Sequence, residues 1–210
     1  MIAQKPAPGE KILAATTSRG KLREISAALA GLPLKILSLQ DLEIDLSAPE
    51  EGQTFMDNAK QKGLFYSRLT SHLTLAEDSG LEVDHLGGAP GVYSARFAGP
   101  EADDARNVAK VLDLLRGVPE AEREARFVCC VVLCRGDDVL AEISGSVEGR
   151  IATEARGRGG FGYDPIFFYP PLGRTFAELK PEEKSSVSHR GRALRPVRDF
   201  LARLHHQGDE

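Results

Sequence analysis

The chain has no excess of basic charge: 27 Lys and Arg face 31 Asp and Glu across 210 residues, a formal net charge of −4. Binding nucleic acid by neutralising many phosphates needs a basic face that releases counterions, so nucleic acid is not an expected partner. A small phosphorylated ligand is still allowed, because a few local donors suffice for it. Long apolar runs are missing too, and the opening MIAQKPAPGEK has no hydrophobic stretch of the kind a secretion signal carries. The expectation is a cytoplasmic protein with no membrane partner. Cysteine is scarce: Cys129, Cys130 and Cys134 all lie in FVCCVVLC with no histidine nearby, so they read as reduced, buried and structural rather than as zinc ligands. There is no internal repeat and no low-complexity segment; residues 1–10 and 205–210 read as loose termini.

What is present is the composition of an ordinary globular protein, 41% hydrophobic and 28% charged, in a length that suits one domain or two small lobes. KILAATTSRGKLREISAALAGLP reads as a strand to about Ala15, a polar bend, and a helix with Leu22, Ile25 and Leu29 on one face, ended by Gly31 and Pro33. LKILSL is a second strand and LEIDLSAPEEG an acidic connection. TFMDNAKQKGLFYSRL is a helix capped by Thr54, with Phe55, Ala59 and Tyr66 in one stripe. LTLA is a short strand that delivers EDSG at its C-terminal end. LGGAPGVYSARF is a glycine-rich turn or loop, and DDARNVAKVLDLLRG a third helix built on Val108, Val111, Leu112 and Leu115. ARFVCCVVLCRGDDVLAEISGSVEGRI gives two strands of an antiparallel hairpin around RGDD. PIFF follows as a strand, then a short helix started by Pro181, and a last helix from about Arg192 with Leu194, Val197, Leu201 and Leu204 inward. Helices mixed with both kinds of strand connection predict an α/β protein with a mixed sheet, in two lobes with a cleft.

Four stretches have the residue types that chemistry needs. ATTSRGK follows a strand and opens a helix, so its amides, the hydroxyls of Thr16, Thr17 and Ser18, and the charges of Arg19 and Lys21 around Gly20 suit a polyphosphate, although the spacing is not that of a P-loop. An ordinary capped helix is the competing reading. In LAEDSGL, Glu77 and Asp78 are adjacent at the end of a strand, so at least one of them should be exposed at the rim, where a carboxylate can hold magnesium or deprotonate a water. Glu50 or Glu51 of PEEG offers a second oxygen ligand; solvated surface acids are the alternative. EEKSSVSHRG gathers Lys184, His189 and Arg190 in a segment that looks like a loop between two helices, suited to carbonyl oxygens or phosphate, or else a polar loop in which Ser188 caps the last helix. GRGGFGYDPIFF sets four glycines ahead of Asp164, which marks a turn or a close approach of backbone to a ligand.

In order and wording these stretches resemble the inosine triphosphate pyrophosphatase, or Ham1, family. ATTSRGKLREI is similar to its phosphate loop, EEGQTFMDNA to the start of its second helix, EDSGLEVDHLGGAPGVYSARF to its acidic signature, GGFGYDPIF to its nucleoside loop and EEKSSVSHRG to its base-recognition segment, from Ala15 to Gly191. The resemblance implies an elongated mixed-sheet α/β fold in two lobes, treated as a single domain over 1–210, and a magnesium-dependent homodimer. It also implies hydrolysis of ITP, dITP and XTP to the monophosphate and pyrophosphate. By the same resemblance Thr16, Thr17, Ser18, Arg19, Gly20 and Lys21 hold the triphosphate. Asp78 is the metal-binding general base, Glu50 (or Glu51) the second metal ligand and Ser79 a substrate contact. Phe161, Gly162, Tyr163 and Asp164, with Lys184, His189 and Arg190, enclose the nucleoside. Ser18 departs from the Asn usual in the family, and the acids of PEEG sit closer to the glycine than is usual. A related pyrophosphatase acting on another modified base, and a nucleotide-binding module that does not hydrolyse, are the competing functions.

Overall fold

In the computed structural model residues 10–101 and 103–206 are described, together with their side chains except those of residues 10 and 204–206. The loose termini expected at 1–10 and 205–210, and the inward packing of Leu204, therefore fall wholly or largely outside the described residues.

Among the described residues seven strands form one mixed sheet in the order β2-β1-β3-β4-β5-β6-β7. The strands are β1 (Glu10–Ala15), β2 (Leu34–Leu37), β3 (Leu73–Val83), β4 (Glu124–Arg135), β5 (Asp138–Ile151), β6 (Phe167–Tyr169) and β7 (Arg174–Thr175). The helices are α1 (Arg19–Ala28), α2 (Phe55–Ser67), α3 (Asp104–Leu114), α4 (Pro181–Val187) and α5 (His189–His206). This is the expected α/β mixture. Among the described residues no helix is long and apolar enough to cross a membrane.

The chain divides into two compact units. The first comprises Met1–Asp78, Cys130–Gly145 and Arg190–Glu210. Here β1 pairs in parallel with β2 and β3, the two crossovers being α1 and α2. Both helices begin on side-chain caps: Ser18 accepts from the Lys21 amide and Thr54 from the Asp57 amide. Leu13, Ala15, Leu39, Tyr66 and Ala76 form a core cluster of this unit. A two-residue turn, Gly136 and Asp137, joins β4 to β5, which makes that neighbouring pair antiparallel. Cys134 is buried among these strands and its thiol is pushed up to about 11 by burial, Glu142 adding to the effect, so it stays protonated and inert. All three cysteines are buried and lie outside any disulfide, as expected.

The second unit comprises Ser79–Cys129 and Ser146–His189. β6 pairs antiparallel with β5 and β7. Its core packs Leu81, Val111, Leu115, Val147, Ile151 and Ile166 against an aromatic group in which Phe127 lies 4.4 Å from Phe167 and 5.9 Å from Phe176, centroid to centroid. Buried Arg123 donates to the carbonyls of Leu115, Val118 and Ala152, the first two in the segment that follows α3.

Three expectations change. β3 does not stop before EDSG but runs on to Val83, so the two acids lie inside a strand. What ends at that level is its neighbour: the last β1 pairing is Ala15 with Ala76, and beyond it β1 has turned into the polar loop. Second, neither acid is exposed; Glu77 is 2% and Asp78 8% accessible. Alternation puts them on opposite faces, and each face supplies cations or donors that offset burial. Third, the last helix starts at His189 rather than about Arg192, and EEKSSVSHRG is helical apart from Ser188, whose extended backbone (φ −70, ψ 159) separates α4 from α5. Pro181 starts α4, as expected.

Candidate active site

Within the first unit, the turn between β1 and α1 is ordered by its own hydroxyls. Thr16 Oγ1 accepts from the Ser18 amide at 3.1 Å, and Ser18 Oγ accepts from the Lys21 amide at 3.4 Å. Ser18 is thus the N-cap of α1, and the first turn that follows holds no acid. Thr17 and Arg19 are exposed, Gly20 is buried and Lys21 is half-buried. A ten-residue helix with a positive N-terminal pole and two cationic side chains in its first turn is a ready anion site.

The acids face this loop's charges. Asn58 Nδ2 donates to Asp78 Oδ2 at 3.1 Å, and Asn58 Oδ1 accepts from the Gly52 amide at 2.7 Å. One side chain on α2 therefore ties the PEEG loop to Asp78. Burial pushes the Asp78 carboxyl above its ordinary value; Lys21, Lys62 and Asn58 oppose the shift, and nearby Glu50 adds to it. Glu50 ion-pairs with Lys62, whose ammonium also donates to the Glu77 carbonyl at 3.4 Å. Glu51 is exposed and its amide donates to Gln61. Glu77 is held on the other side of β3: Lys21 Nζ lies 3.1 Å from Oε1, and Arg190 donates from Nε to Oε2 at 2.7 Å.

Among the described residues no group of three or more His, Cys, Asp or Glu forms a metal cage. Asp78 and Glu50, which sense each other electrostatically, give a donor set of oxygens alone. Such a set fits a hard divalent cation, which is commonly held by one or two carboxylates with waters and substrate phosphates filling the other positions.

In the second unit the glycine-rich loop is fastened by protein contacts. Asp164 is 2% accessible; its Oδ2 accepts from the Phe161 amide at 2.9 Å and from Lys184 Nζ at 2.5 Å. Lys184 Nζ also lies 4.7 Å from the Phe161 ring centroid. The Gly162 amide donates to Asp104 on α3, and the Tyr163 hydroxyl donates to the Ser94 carbonyl, each at 2.7 Å. Burial, with Asp104 adding to it, pushes the Tyr163 phenol well above its usual range, so it remains a donor. The buried His189 ring stacks on Phe127 at 4.6 Å. Ser79, the first residue of this unit, is half-buried on β3.

Two glycines of the loop meet protein atoms, so the close approach seen at these positions is to the chain itself. A Cβ on Gly157 (φ +86) would sit 2.4 Å from the Ala177 carbonyl carbon, and one on Gly160 (φ +72) 2.0 Å from Asp164 Oδ2. Gly160→Ala is expected to destabilise the protein by about 1–3 kcal/mol for the left-handed backbone alone, with more for the contact, as read by thermal unfolding.

Sequence reasoning missed Asn58 and Lys62, which lie four apart on α2 and so share a face. That spacing, beside the PEEG loop, was the available signal. Glu24, which accepts from Arg190 Nη1 at 2.5 Å, carries no local signal at all.

A parallel strand–loop–helix unit with an anion-ready helix start, beside buried acids and half-buried lysines, is the class of α/β arrangement that suits phosphate-bearing ligands. A profile of the Ham1 family matches residues 12–200, and the chain belongs to that family. The dITP/XTP pyrophosphatase of Desulforamulus reducens is 46% identical over 195 residues, 93% of this chain and 97% of its own. That of Escherichia coli is 46% identical over 194 residues, covering 91% and 98%. A HAM1 protein structure from Coxiella burnetii superposes with a TM-score of 0.83 at 39% identity, covering 93% of this chain and 99% of that one. The nucleoside-triphosphatase (dITP/XTP pyrophosphatase) of Mycobacterium abscessus gives 0.71 at 42% identity, covering 89% and 98%.

Proposed function

We propose that this protein is a nucleoside-triphosphate pyrophosphatase that hydrolyses deaminated purine nucleotides, dITP, ITP and XTP or dXTP, to the monophosphate and pyrophosphate. The observation that carries the reading is the meeting of Asp78, Glu50, Lys21 and Lys62 behind the α1 loop in a chain 46% identical to dITP/XTP pyrophosphatases. Cleansing the nucleotide pool is the biological sense of that reaction, and we place it in the cytoplasm, as a homodimer.

The triphosphate is held by the loop from Thr16 to Lys21, through its backbone donors, the positive pole of α1 and the Lys21 ammonium. Asp78 accepts a proton from the attacking water; its raised pKa makes it a stronger base than an exposed carboxylate. The water adds to the α-phosphorus and the β,γ-diphosphate leaves, its charge met by Lys21 and by the loop amides. Asp78 and Glu50 would hold magnesium, which when bound neutralises charge on the phosphate oxygens. Glu50 is preferred to Glu51 because Asp78 senses it. Ser79, next along β3, is a substrate contact.

For the base, Phe161 offers a flat apolar face, and Gly162, Tyr163 and Asp164 form the loop that presents it. Lys184, His189 and Arg190 supply donors that suit the six-oxygen of hypoxanthine and xanthine. The direct test is incubation with dITP and magnesium chloride. Pyrophosphate and dIMP are the expected first products; orthophosphate as the first product contradicts the proposal.

A further inference from the structure

The reaction above gives Glu77 no part, yet its carboxylate holds two cations that have one. The side chain is 1% accessible. Lys21 Nζ stands 3.1 Å from Oε1, Arg190 Nε donates to Oε2 at 2.7 Å, and Arg190 Nη2 donates to Oε1 at 3.3 Å. Arg190 is itself 2% accessible and also donates to Glu24. Lys21 belongs to the first turn of α1, directly behind the phosphate loop, and Arg190 to the first turn of α5. They are 169 positions apart in sequence (190 less 21) and meet on one side chain of β3.

A carboxylate this deeply buried is tolerated only when ionised partners surround it, and a fold that needed it for stability alone would be served as well by apolar residues. The arrangement instead gives two flexible cationic side chains a common fixed point. We infer that Glu77 is a positioning residue that holds Lys21 and Arg190 in one arrangement, so that the cations assigned to the triphosphate and to the base are set by a single carboxylate. This rests on the function proposed above. A charge-bearing anchor shared in this way makes both ends of the substrate sensitive to one substitution that touches neither.

The test uses Glu77→Asp, which keeps the charge but withdraws the carboxylate by one carbon, too far to reach both cations. Three readings are taken on the full chain: the circular dichroism spectrum, the affinity for inorganic tripolyphosphate by calorimetry, and the ratio of kcat/KM for dITP over dATP. With the spectrum of the parent retained, tripolyphosphate affinity is expected to fall about tenfold, and the dITP preference to fall by a similar factor, the scale of a charge-assisted hydrogen bond. Glu77→Gln, which leaves both cations without this carboxylate, moves both readings further in the same direction. Being isosteric with glutamate, it is the second variant to read should the aspartate variant prove unstable. A variant in which only one reading moves, or in which only thermal stability falls, overturns the shared role. Calorimetry needs no turnover, so the two failures are distinct. A parent inactive on dITP overturns the function, whereas an active parent whose variants keep both parental values overturns the role of Glu77.

Discussion

Asp78→Asn is expected to lower kcat on dITP by about 10²–10⁴-fold, the range removed with a positioned general base, and by more if cation binding is lost with it. The fold is expected to survive. Asparagine is isosteric, and its carbonyl oxygen can accept the bond that Asn58 Nδ2 now gives to Asp78 Oδ2. The same variant makes a stability prediction whose sign follows from burial. Asp78 is raised above its unfolded value of 3.8 chiefly by burial, against the pull of Lys21, Lys62 and Asn58. A carboxyl raised in this way contributes its stability fully below the unfolded value and loses it as pH rises through the folded one. At neutral pH its ionised form therefore weighs against folding, while asparagine, always neutral, does not. In buffer free of divalent cations Asp78→Asn is expected to melt above the parent at neutral pH, and the difference to vanish as pH falls below 3.8. Stability traded for a working base is the pattern this describes. Turnover within a few-fold of the parent would remove Asp78 from the role of base.

The second large effect concerns the base. The parent is expected to prefer dITP to dATP in kcat/KM by on the order of 10⁴, because an adenine amino group would face donors and leave them unpaired. Lys184 carries three N–H bonds and gives one to Asp164, which fixes the ammonium beside Phe161. Lys184→Met should cut the preference by about 10–10²-fold, through a fall in the dITP constant with the dATP constant nearly unchanged. Lys184→Arg should restore part of it. The methionine variant will also be less stable, since Asp164 keeps only the Phe161 amide of these two bonds while remaining buried. Equal losses on both nucleotides would mean that Lys184 serves loop order alone.

Much of the fold is legible because its signals are local. Thr54 with Asp57 three residues on marks the start of α2, Pro181 the start of α4, and the spacing of Val111 and Leu115 the buried face of α3. The turn at Gly136 and Asp137 is likewise written in adjacent residues. The acids of β3 were misjudged because their environment is not local: Glu77 is neutralised by Arg190, 113 residues later, and no window around LAEDSGL contains that partner. Without it, a buried glutamate reads as an error and the strand is cut short. The start of α5 was missed for a similar reason, since Ser188 separates two helices with one extended residue and polar sequence on both sides. The glycine pattern at 157 and 160 points to a turn or to backbone close to a ligand; what meets these glycines is Ala177 and Asp164, residues no glycine pattern can name.

Hydrolysis of dITP in water enriched in oxygen-18 tests the central claim most directly, because the position of the label reports which phosphorus the water attacks. Attack at the α-phosphorus, as placed here with Asp78 as base and pyrophosphate as leaving group, puts one labelled oxygen in dIMP and none in pyrophosphate. Label in the pyrophosphate, or in released orthophosphate with dIDP as partner product, would contradict the account.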